Sequence, residues 1–264
     1  MKRIRLFAAA ALILLCGAGT GFKPQKDTIR VATWNVDSGS ADLSDQKEFL
    51  SGIDADIIGL QEAEEKTDRV NGVSVCDTLA EGLFRYAEFF ESFPWMDANG
   101  LQKGSYGLGV LSKGVLLQDE VWTLPSDEEQ DLEPRILTMN KVSYQGKFLY
   151  FYNLHLSYED DQVRAEQLEA VNEILAENSG EYQIVTGDFN IRDLAELDAL
   201  EGFQAVNTEE APLETYHGDD WDSKCLDNIL YSGNLELVEA EVCPTDTSDH
   251  DLLLAEFRFL KKAE

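Results

Sequence analysis

The sequence predicts an α/β fold in which two β-sheets face each other. Short apolar runs of strand length alternate along the chain with stretches of helical periodicity. Two pairs of these runs are separated by only a few residues, which is the spacing of hairpins. A hydrophobic fraction of 44% and the lack of a Pro/Gly/Ser-rich linker among the 264 residues indicate one domain with a substantial core.

The predicted elements follow one another from residue 29 to residue 254. Apolar runs predict strands at residues 29–31, 57–60, 86–90, 184–185 and 252–254. The paired runs predict one hairpin of residues 107–111 with 115–122, and another of residues 136–142 with 147–152 that turns at Gln145-Gly146. Amphipathic spacing predicts helices at residues 43–52, 77–85, 162–177 and 194–200.

The first 21 residues have the pattern of an export signal and are left out of the fold. Three basic residues precede an apolar stretch of eleven residues that ends at Cys16, and small residues follow it. Cleavage after Thr20 or Gly21 fits this pattern. Cys16 suggests a lipoprotein leader, although Leu15 stands where a lipobox has a small side chain; an uncleaved anchor would be short for a bilayer, which takes about 20 apolar residues. We expect an exported bacterial protein, secreted or anchored at the cell surface, whose membrane contact is limited to this leader.

The chain is strongly acidic, with 51 Asp and Glu residues against 21 Lys and Arg residues. Its formal charge of −30 becomes −33 once a leader with three basic residues is removed. Such a chain repels a polyanion at long range, and non-specific nucleic-acid binding depends on Lys and Arg. The longest basic run is Lys261-Lys262. We therefore expect a monomer that forms no stable complex with nucleic acid, although the acidity also suits the solubility of an exported protein.

Three cysteines remain after the leader, namely Cys76, Cys225 and Cys243. Export permits a disulfide, and Cys225–Cys243 is the pair nearest in sequence. The odd count leaves at least one thiol unpaired within the chain. The spacing of the three is not that of a metal site, so we assign none of them to catalysis.

Polar residues with catalytic chemistry lie at one end of five predicted strands. Four clusters follow an apolar run and a fifth adjoins the run 252–254; they are Thr33-Trp34-Asn35, Gln61-Glu62, Asn153-Leu154-His155, Asp188-Phe189-Asn190 and Ser248-Asp249-His250. Five strands that each carry Asn, Asp, Glu or His at the same end indicate one shared site. Oxygen-rich side chains of this kind are typical of metal-assisted hydrolases.

The clusters resemble a known family. The segments TWNV, LQE, NLHLS, GDFN, CLDNIL and SDH, in this order, resemble the endonuclease/exonuclease/phosphatase superfamily of Mg²⁺-dependent phosphoesterases, which includes the deoxyribonuclease-I-like nucleases. The resemblance spans about residues 28 to 258, and we assign a catalytic domain to residues 28–260. It implies a four-layered α/β sandwich, in which helices cover the outer faces of two packed mixed sheets.

The resemblance assigns the metal to three residues. It makes Glu62 the principal Mg²⁺ ligand, Asn35 a neutral amide oxygen nearby, and Asp249 a carboxylate that binds the metal or one of its ligands. Mn²⁺ is expected to substitute. Mg²⁺ prefers oxygen ligands and keeps several waters, so one or two carboxylates suffice. Taken alone, Glu62 could be a solvent-facing strand end and Asn35 a turn residue.

The resemblance also assigns the catalytic roles. His250 activates the attacking water or contacts the phosphate, and Asp227 fixes its tautomer. His155 contacts a non-bridging oxygen. Asp188 acts as the leaving-group acid or orients the nucleophile, and Asn190 donates to the phosphate. The sequence leaves open which histidine takes the proton.

Three further residues are predicted to contact the substrate. Tyr106 in YGLGVLS and Arg135 in EPRIL match family positions that border the phosphate. Arg135 can hold a phosphate with two hydrogen bonds, the alternative being a surface ion pair with Glu133. His217, in the loop of residues 215–221, is a candidate substrate contact, the alternative being a solvated loop.

The sequence thus predicts an exported, Mg²⁺-dependent hydrolase of phosphate esters. Its acidity and its lack of basic runs favour a phosphodiesterase or phosphatase that acts on a small or lipid-linked phosphate. The alternative is an extracellular nuclease of the deoxyribonuclease or ribonuclease type. A more remote alternative is a non-catalytic binding module on the same scaffold, which the complete set of polar residues argues against.

Overall fold

A computed structural model describes residues 27–127, 129–178, 180–218 and 223–260. The predicted leader at residues 1–21 lies outside these residues. Within them, no helix has both the length and the apolar content needed to cross a membrane. The described residues form twelve β-strands, three α-helices and one short 3-10 helix.

The strands fall into two sheets. Sheet A contains β1 (Thr28–Asn35), β2 (Ile57–Glu65), β3 (Tyr86–Met96), β4 (Gln102–Ser112), β11 (Leu235–Cys243) and β12 (Leu252–Phe259). Sheet B contains β5 (Val115–Thr123), β6 (Ile136–Tyr144), β7 (Lys147–His155), β8 (Tyr182–Asp188), β9 (Phe203–Ala205) and β10 (Asp227–Ser232). The helices are α1 (Leu43–Ser51), α2 (Val75–Ala80), α3 (Asp161–Glu177) and the 3-10 helix Leu194–Ala199.

Both sheets are mixed and have one parallel pair near the centre. The strand order is β11-β12-β1-β2-β4-β3 in sheet A and β5-β6-β7-β8-β10-β9 in sheet B. β1 and β2 run parallel, as do β7 and β8, and every other neighbouring pair is antiparallel. Because parallel strands end at the same edge, the residues that follow β1 and β2, or β7 and β8, lie side by side.

Three hydrophobic clusters hold four layers together, which confirms the predicted α/β sandwich. The central cluster joins the sheets, with Val31 of sheet A and Phe151 of sheet B both fully buried. A second cluster packs α1 and α2 on the outer face of sheet A around Trp34. A third packs α3 and the 3-10 helix on sheet B around Val171 and Leu197. Removal of this apolar area from water is the main stabilising contribution to the fold.

One predicted hairpin is confirmed and the other is wrong. β6 and β7 pair as an antiparallel hairpin, and both Gln145 and Gly146 at its turn have positive φ. β4 and β5 do not pair, because β5 belongs to sheet B. The two-residue connection ends in Gly114, where a Cβ atom would lie 2.8 Å from the side chain of Val142 in sheet B. The glycine lets the chain cross between sheets at a place where local spacing alone predicts a turn.

The helix predictions differ from the structure mainly at their ends. α1 and α3 match the predicted segments to within one residue. α2 begins at Val75 instead of residue 77 and ends at Ala80 instead of residue 85. Ser74 caps its first turn by accepting a hydrogen bond from the backbone of Asp77 (3.2 Å), and Gly82 turns the chain away at φ +80°. The segment predicted at residues 194–200 is a 3-10 helix, capped by Asp193.

The three cysteines among the described residues form no disulfide. Cys76, Cys225 and Cys243 are all free thiols, so the candidate bridge Cys225–Cys243 is not made. Cys76 is buried against Gly109, where a Cβ atom would lie 2.4 Å from its sulfur. A buried thiol in apolar surroundings behaves as a small hydrophobic side chain.

Candidate active site

The polar clusters meet where a row of strand ends in sheet A faces a row of strand ends in sheet B. In sheet A the strands β12, β1, β2 and β4 present a line of side chains that we call row A, namely His250, Asn35, Glu62 and Tyr106. In sheet B the strands β10, β8, β7 and β6 present row B, namely Asp227, Asp188, His155 and Arg135. The shared-edge arrangement predicted from the sequence is therefore present.

The direction of one strand differs from the prediction. Ser248-Asp249-His250 precedes β12, so it lies at the amino end of its strand and not at a carboxyl end. β12 runs antiparallel to β1, with Thr33 opposite Leu253, and its amino end therefore meets the carboxyl end of β1. The reversal brings His250 to the same edge as the other clusters.

A β-bulge directs Glu62 into the site. The pairing of β2 with β4 shifts between Leu60 and Ala63, and Glu62 has φ +56°. A non-glycine residue in this left-handed region is strained, and such strain is found where function requires a particular side-chain direction. Asn190, in the loop after β8, is also in the left-handed region, with φ +49°.

Buried polar side chains between the sheets support this bulge. Asn153 of β7 donates to the backbone oxygens of Leu60 (2.9 Å) and Gly109 (3.1 Å) in sheet A. Its own side-chain oxygen accepts from Gln61 Nε2 (2.7 Å). Gly59 lies close by, where a Cβ atom would approach Asn153 Oδ1 to 2.6 Å. The network bonds the backbone of both strands next to the bulge, and it fixes the backbone beside Glu62.

The two rows are joined by direct hydrogen bonds. His250 Nδ1 lies 2.8 Å from Asp227 Oδ2. Asn35 Nδ2 donates to Asp188 Oδ2 (3.1 Å) across the sheets and to Glu62 Oε1 (2.9 Å) in its own row. The resulting cleft has a cavity volume of about 170 Å³.

His250 carries a positive charge at neutral pH. Its ring is buried, and burial opposes protonation, but the carboxylates of Asp227, Asp188 and Asp249 outweigh burial and raise its pKa to about 10. Asp227 makes the direct contact, and Asp188 Oδ2 lies 3.7 Å from the other ring nitrogen. The contact of Asp227 with Nδ1 is the one predicted for this pair, and here the carboxylate stabilises the charged ring.

His155 is neutral. Burial, the nearby guanidinium of Arg135 and the charge of His250 lower its pKa well below the usual value. Its Nε2 lies 3.5 Å from Asp188 Oδ2, and its Nδ1 is buried without a hydrogen-bond partner in the part of the chain that the structure describes. The imidazole can therefore donate or accept a hydrogen bond, but it does not supply charge.

The carboxyl groups of the cleft have raised pKa values. Burial raises the pKa of Glu62 to about 7, against the opposing effects of Asn35 and His250. Burial and Asp227 raise that of Asp188 to about 6, against the opposing effect of His250. Burial also raises the pKa of Asp249. A cluster of desolvated acids is unfavourable in its ionised form unless a cation is present.

This donor set fits a hard divalent cation. Glu62, Asp188 and Asp249 offer carboxylate oxygens to the same cleft, with no thiol among the residues that line it. Asp188, Asp227 and His250 also form a compact acidic group, with ligand atoms within 4.8 Å of one another. His250 already bonds Asp227, so the carboxylates of Glu62, Asp188 and Asp249 are the ones left available to a cation.

Asn35 departs from its predicted orientation. Its amide nitrogen, not its oxygen, faces Glu62 and Asp188, and its oxygen accepts from the backbone of Asp37 (3.1 Å). Two neighbouring carboxylates attract the donor end of an amide. To ligate a metal through oxygen, as predicted, the amide would have to rotate.

The remaining predicted residues line the cleft with one exception. Asn190 lines it and donates from Nδ2 to the backbone oxygen of Leu156 (3.0 Å), which leaves a second amide hydrogen for a ligand. Tyr106 lines it and hydrogen-bonds Glu62. Arg135 lines it, is 2% exposed, and pairs with Glu133 (3.3 Å). The ion pair with Glu133 is therefore present but buried, and the phosphate contact stays a prediction.

His217 is the exception, because it does not lie in this cleft. Its side chain is 47% exposed, and its Nε2 is 3.7 Å from Asp251 in a neighbouring pocket. Its backbone N–H donates to the oxygen of Asp249 (3.1 Å), which fixes the loop beside the site. A direct contact with substrate thus remains a prediction that the geometry does not favour.

Sequence reasoning missed four residues that line the cleft. They are Glu133, Tyr158, Tyr216 and Leu226. Tyr158 lies three residues after His155, and Leu226 directly precedes Asp227, so adjacency to the catalytic clusters was the available signal. Tyr216 packs on His250 with ring centroids 4.9 Å apart.

Comparisons with known proteins give consistent matches. The model of the endonuclease/exonuclease/phosphatase family matches residues 32–250. A UPF0294 protein of Yersinia enterocolitica is 29% identical over 246 residues, covering 89% of this chain and 85% of that protein.

Solved structures of low identity share the fold. An endonuclease/exonuclease/phosphatase structure from Beutenbergia cavernae has a TM-score of 0.73 at 18% identity, covering 88% of this chain and 72% of that one. A mannosyl-6-phosphatase of Bacteroides thetaiotaomicron has a TM-score of 0.65 at 18% identity, covering 88% of this chain and 100% of that one.

Proposed function

Because the chain belongs to the endonuclease/exonuclease/phosphatase family, whose members hydrolyse phosphoester bonds, we propose that it is a Mg²⁺-dependent hydrolase of a small or lipid-linked phosphate ester. The observation that carries the proposal is the convergence of rows A and B in one cleft. Six of the eight residues predicted to be catalytic or to bind the metal line that cleft. The other two hydrogen-bond members of this set, Asn35 to Glu62 and Asp188, and Asp227 to His250.

The cation would be held by Glu62, Asn35 and Asp249. A divalent ion bound there withdraws charge from a phosphoryl oxygen of the substrate. The family is typically dependent on a divalent metal, and the raised pKa of Glu62 reflects a buried acid that a cation would stabilise in its ionised form. We propose Mg²⁺, with Mn²⁺ as a substitute, because the ligands are oxygen atoms.

Side chains of both rows, together with Asn190, act on the water and on the phosphate. Asp188 has a pKa of about 6, so it is ionised at neutral pH and accepts a hydrogen bond from the attacking water. His250 places a positive charge beside the phosphoryl oxygens, and Asp227 maintains that charge. Neutral His155 and the amide of Asn190 donate hydrogen bonds to non-bridging oxygens.

The acidity of the chain favours a small substrate over a nucleic acid. The formal charge is −30, and Arg135 is the one Lys or Arg side chain among the described residues that line the cleft. A nuclease needs several such groups to neutralise the phosphates that flank the scissile one. The similar mannosyl-6-phosphatase shares only the fold, so it does not identify the substrate.

One purified sample tests the proposal. Residues 22–264 are assayed with Mg²⁺ on bis-p-nitrophenyl phosphate, p-nitrophenyl phosphate, sphingomyelin, plasmid DNA and RNA. We expect hydrolysis of a small or lipid-linked ester that excess EDTA abolishes, and that Glu62→Gln reduces at least about 100-fold, on the scale of a lost essential group. Glu129→Gln, an exposed change of the same charge, is the control.

Each contrary outcome has a distinct meaning. Full activity in excess EDTA would refute the requirement for a metal ion. Faster cleavage of DNA or RNA than of any small ester would indicate the nuclease instead. Binding of phosphate esters without turnover would indicate a non-catalytic module.

We also propose that the protein is exported and acts as a monomer. The support is the leader-like pattern of residues 1–21 and the acidity of the chain. N-terminal sequencing and metabolic labelling with a fatty acid distinguish a cleaved, a lipidated and a retained leader. Sedimentation of the purified protein tests the monomer.

A further inference from the structure

The cationic group of row B that faces the substrate is itself paired with an acid. Arg135 is buried, and its Nη2 lies 3.3 Å from Glu133 Oε2. Glu133 also lines the cleft. The one guanidinium available to a phosphate therefore carries its own counter-charge.

The pair is a single contact and not a closed two-bond fork. Arg135 Nε and Glu133 Oε1 are both buried without a hydrogen-bond partner. A charged pair that is partly desolvated interacts more strongly than one in water, so Glu133 reduces the field that Arg135 exerts on a ligand. Glu133 makes only one contact with Arg135, so its contribution to the fold is limited. This points to a role of its charge in the cleft.

Substrate charge is the property that such a pair selects. A phosphomonoester carries between about 1.5 and 2 negative charges at pH 7, because its second pKa is about 6. A phosphodiester carries one. The cleft already contains Glu62, Asp188 and Asp249, so each extra negative charge on the substrate is unfavourable. Arg135 offsets less of that penalty while it is paired with Glu133.

The ends of the cleft provide room for a substituent on either side of the phosphate. Arg135 and Asp227 are three strand spacings apart in row B, which is about 14 Å. Tyr158 lies at the Arg135 end, with its ring 5.9 Å from the guanidinium. Tyr216 and Leu226 lie at the other end, beside His250 and Asp227. An aromatic wall at each end suits an ester with two organic groups.

We propose that Glu133 makes this protein selective for phosphodiesters over phosphomonoesters by partly neutralising Arg135. The inference rests on the proposed function and narrows its substrate class to the monoanionic diester. Glu133 acts through Arg135 and makes no contact with the reacting atoms.

The test compares two substrates that share a leaving group. Values of kcat/KM are measured with Mg²⁺ on bis-p-nitrophenyl phosphate and p-nitrophenyl phosphate for the wild type, Glu133→Gln and Glu129→Gln. Glu129 is exposed on the same loop, so its variant is a matched control for charge. We expect Glu133→Gln to shift the ratio of diester to monoester kcat/KM about tenfold toward the monoester, mainly through KM. Tenfold corresponds to about 1.4 kcal/mol. Glu129→Gln should leave the ratio within about twofold of the wild type.

A second measurement needs no turnover of the monoester. Inorganic phosphate, which carries a similar charge, is tested as a competitive inhibitor of diester hydrolysis. Its inhibition constant should fall about tenfold in Glu133→Gln, on the scale of one nearby charge. In an Arg135→Ala background the same substitution should have no effect, because the acid acts through the guanidinium.

The outcomes separate this inference from the proposed function. If the wild type hydrolyses neither ester with Mg²⁺, the proposed function fails. If it hydrolyses them but prefers the monoester, or if Glu133→Gln changes neither the ratio nor phosphate inhibition, the proposed function stands and the selectivity is refuted. If Glu133→Gln does not fold, the selectivity is judged from the wild type alone, by its preference between diester and monoester and by its inhibition constant for phosphate.

Discussion

The two histidines of the cleft differ in charge although both adjoin strand ends in the same site. His250 contacts Asp227 at 2.8 Å and has a pKa raised to about 10. His155, two strands away from Asp227 in row B, has Arg135 on its other side and a pKa lowered well below the usual value. The residue type does not determine the role; the neighbouring charge on each strand does.

This contrast gives the cleft one charged imidazole and one neutral imidazole. His250 supplies fixed positive charge, which is most effective where charge develops in the transition state. His155 supplies a directed hydrogen bond. The sequence left open which histidine takes a proton. The raised pKa of His250 and the lowered pKa of His155 favour protonation of His250 in the free protein.

The largest expected effect comes from removal of the carboxylate that maintains this difference. Asp227→Asn should lower kcat by about 10²- to 10⁴-fold, because His250 then loses its charge at neutral pH. The substitution is nearly isosteric, so the fold should be retained, as judged by circular dichroism. The measurement is kcat at saturating Mg²⁺.

A double-mutant cycle checks that the pair acts as a unit. Asp227→Asn combined with His250→Ala should be little worse than either change alone, since residues that act together are non-additive. Additive losses would mean that the two side chains contribute separately.

A matched pair of substitutions separates charge from hydrogen bonding. Glutamine keeps a hydrogen-bond donor and has no charge. His250→Gln should therefore lose about 10²- to 10⁴-fold in kcat, whereas His155→Gln should lose only about tenfold. His217→Gln, in an exposed side chain outside the cleft, should change kcat less than about twofold. Equal losses at 155 and 250 would remove the distinction between them.

The pH dependence should report the acid at the centre of row B. Asp188 must be ionised to accept from water, so activity should fall about tenfold per pH unit below its pKa of about 6. Activity should fall again above about pH 10, where His250 loses its proton. Higher Mg²⁺ should move the acid limb to lower pH, because metal and protons compete for Glu62 and its neighbours. If the acid limb of the pH profile did not move with Mg²⁺ concentration, the metal would not be bound at Glu62 and its neighbours.

A smaller effect concerns stability without metal. The pKa of Glu62 is raised from 4.5 to about 7, so its ionisation disfavours the folded state progressively between those values and fully above pH 7. In EDTA at pH 8, Glu62→Gln should therefore raise Tm by a few degrees, and at pH 4 it should not. Mg²⁺ should raise the Tm of the wild type and leave that of the variant unchanged. A lower Tm for the variant in EDTA at pH 8 would contradict the buried charge.

The residues at strand ends could be predicted from the sequence, whereas the contacts between the two sheets could not. Apolar runs followed by Asn, Glu, His or Asp carry a local signal, and the residues they mark are together in the cleft. The β4–β5 hairpin failed because pairing depends on which sheet accepts the strand, which no local spacing encodes. Glu133 carries no periodic signal, since its importance arises from Arg135 and the cleft.

Orientation and bonding were also outside the reach of the sequence. The rotation of the Asn35 amide follows from two carboxylates that approach it from different sheets. Cys225 directly precedes β10 of sheet B, whereas Cys243 ends β11 of sheet A, and proximity in sequence did not reveal that they stay free thiols.

The most direct test of the division between the histidines is nitrogen NMR of the protein labelled at its three histidines. At pH 8 without metal, His250 should give the two similar nitrogen signals of an imidazolium, and His155 the two distinct signals of a neutral ring. Asp227→Asn should convert the His250 signals to the neutral pattern. A neutral His250 in the wild type at pH 8, or a charged His155, would contradict the account.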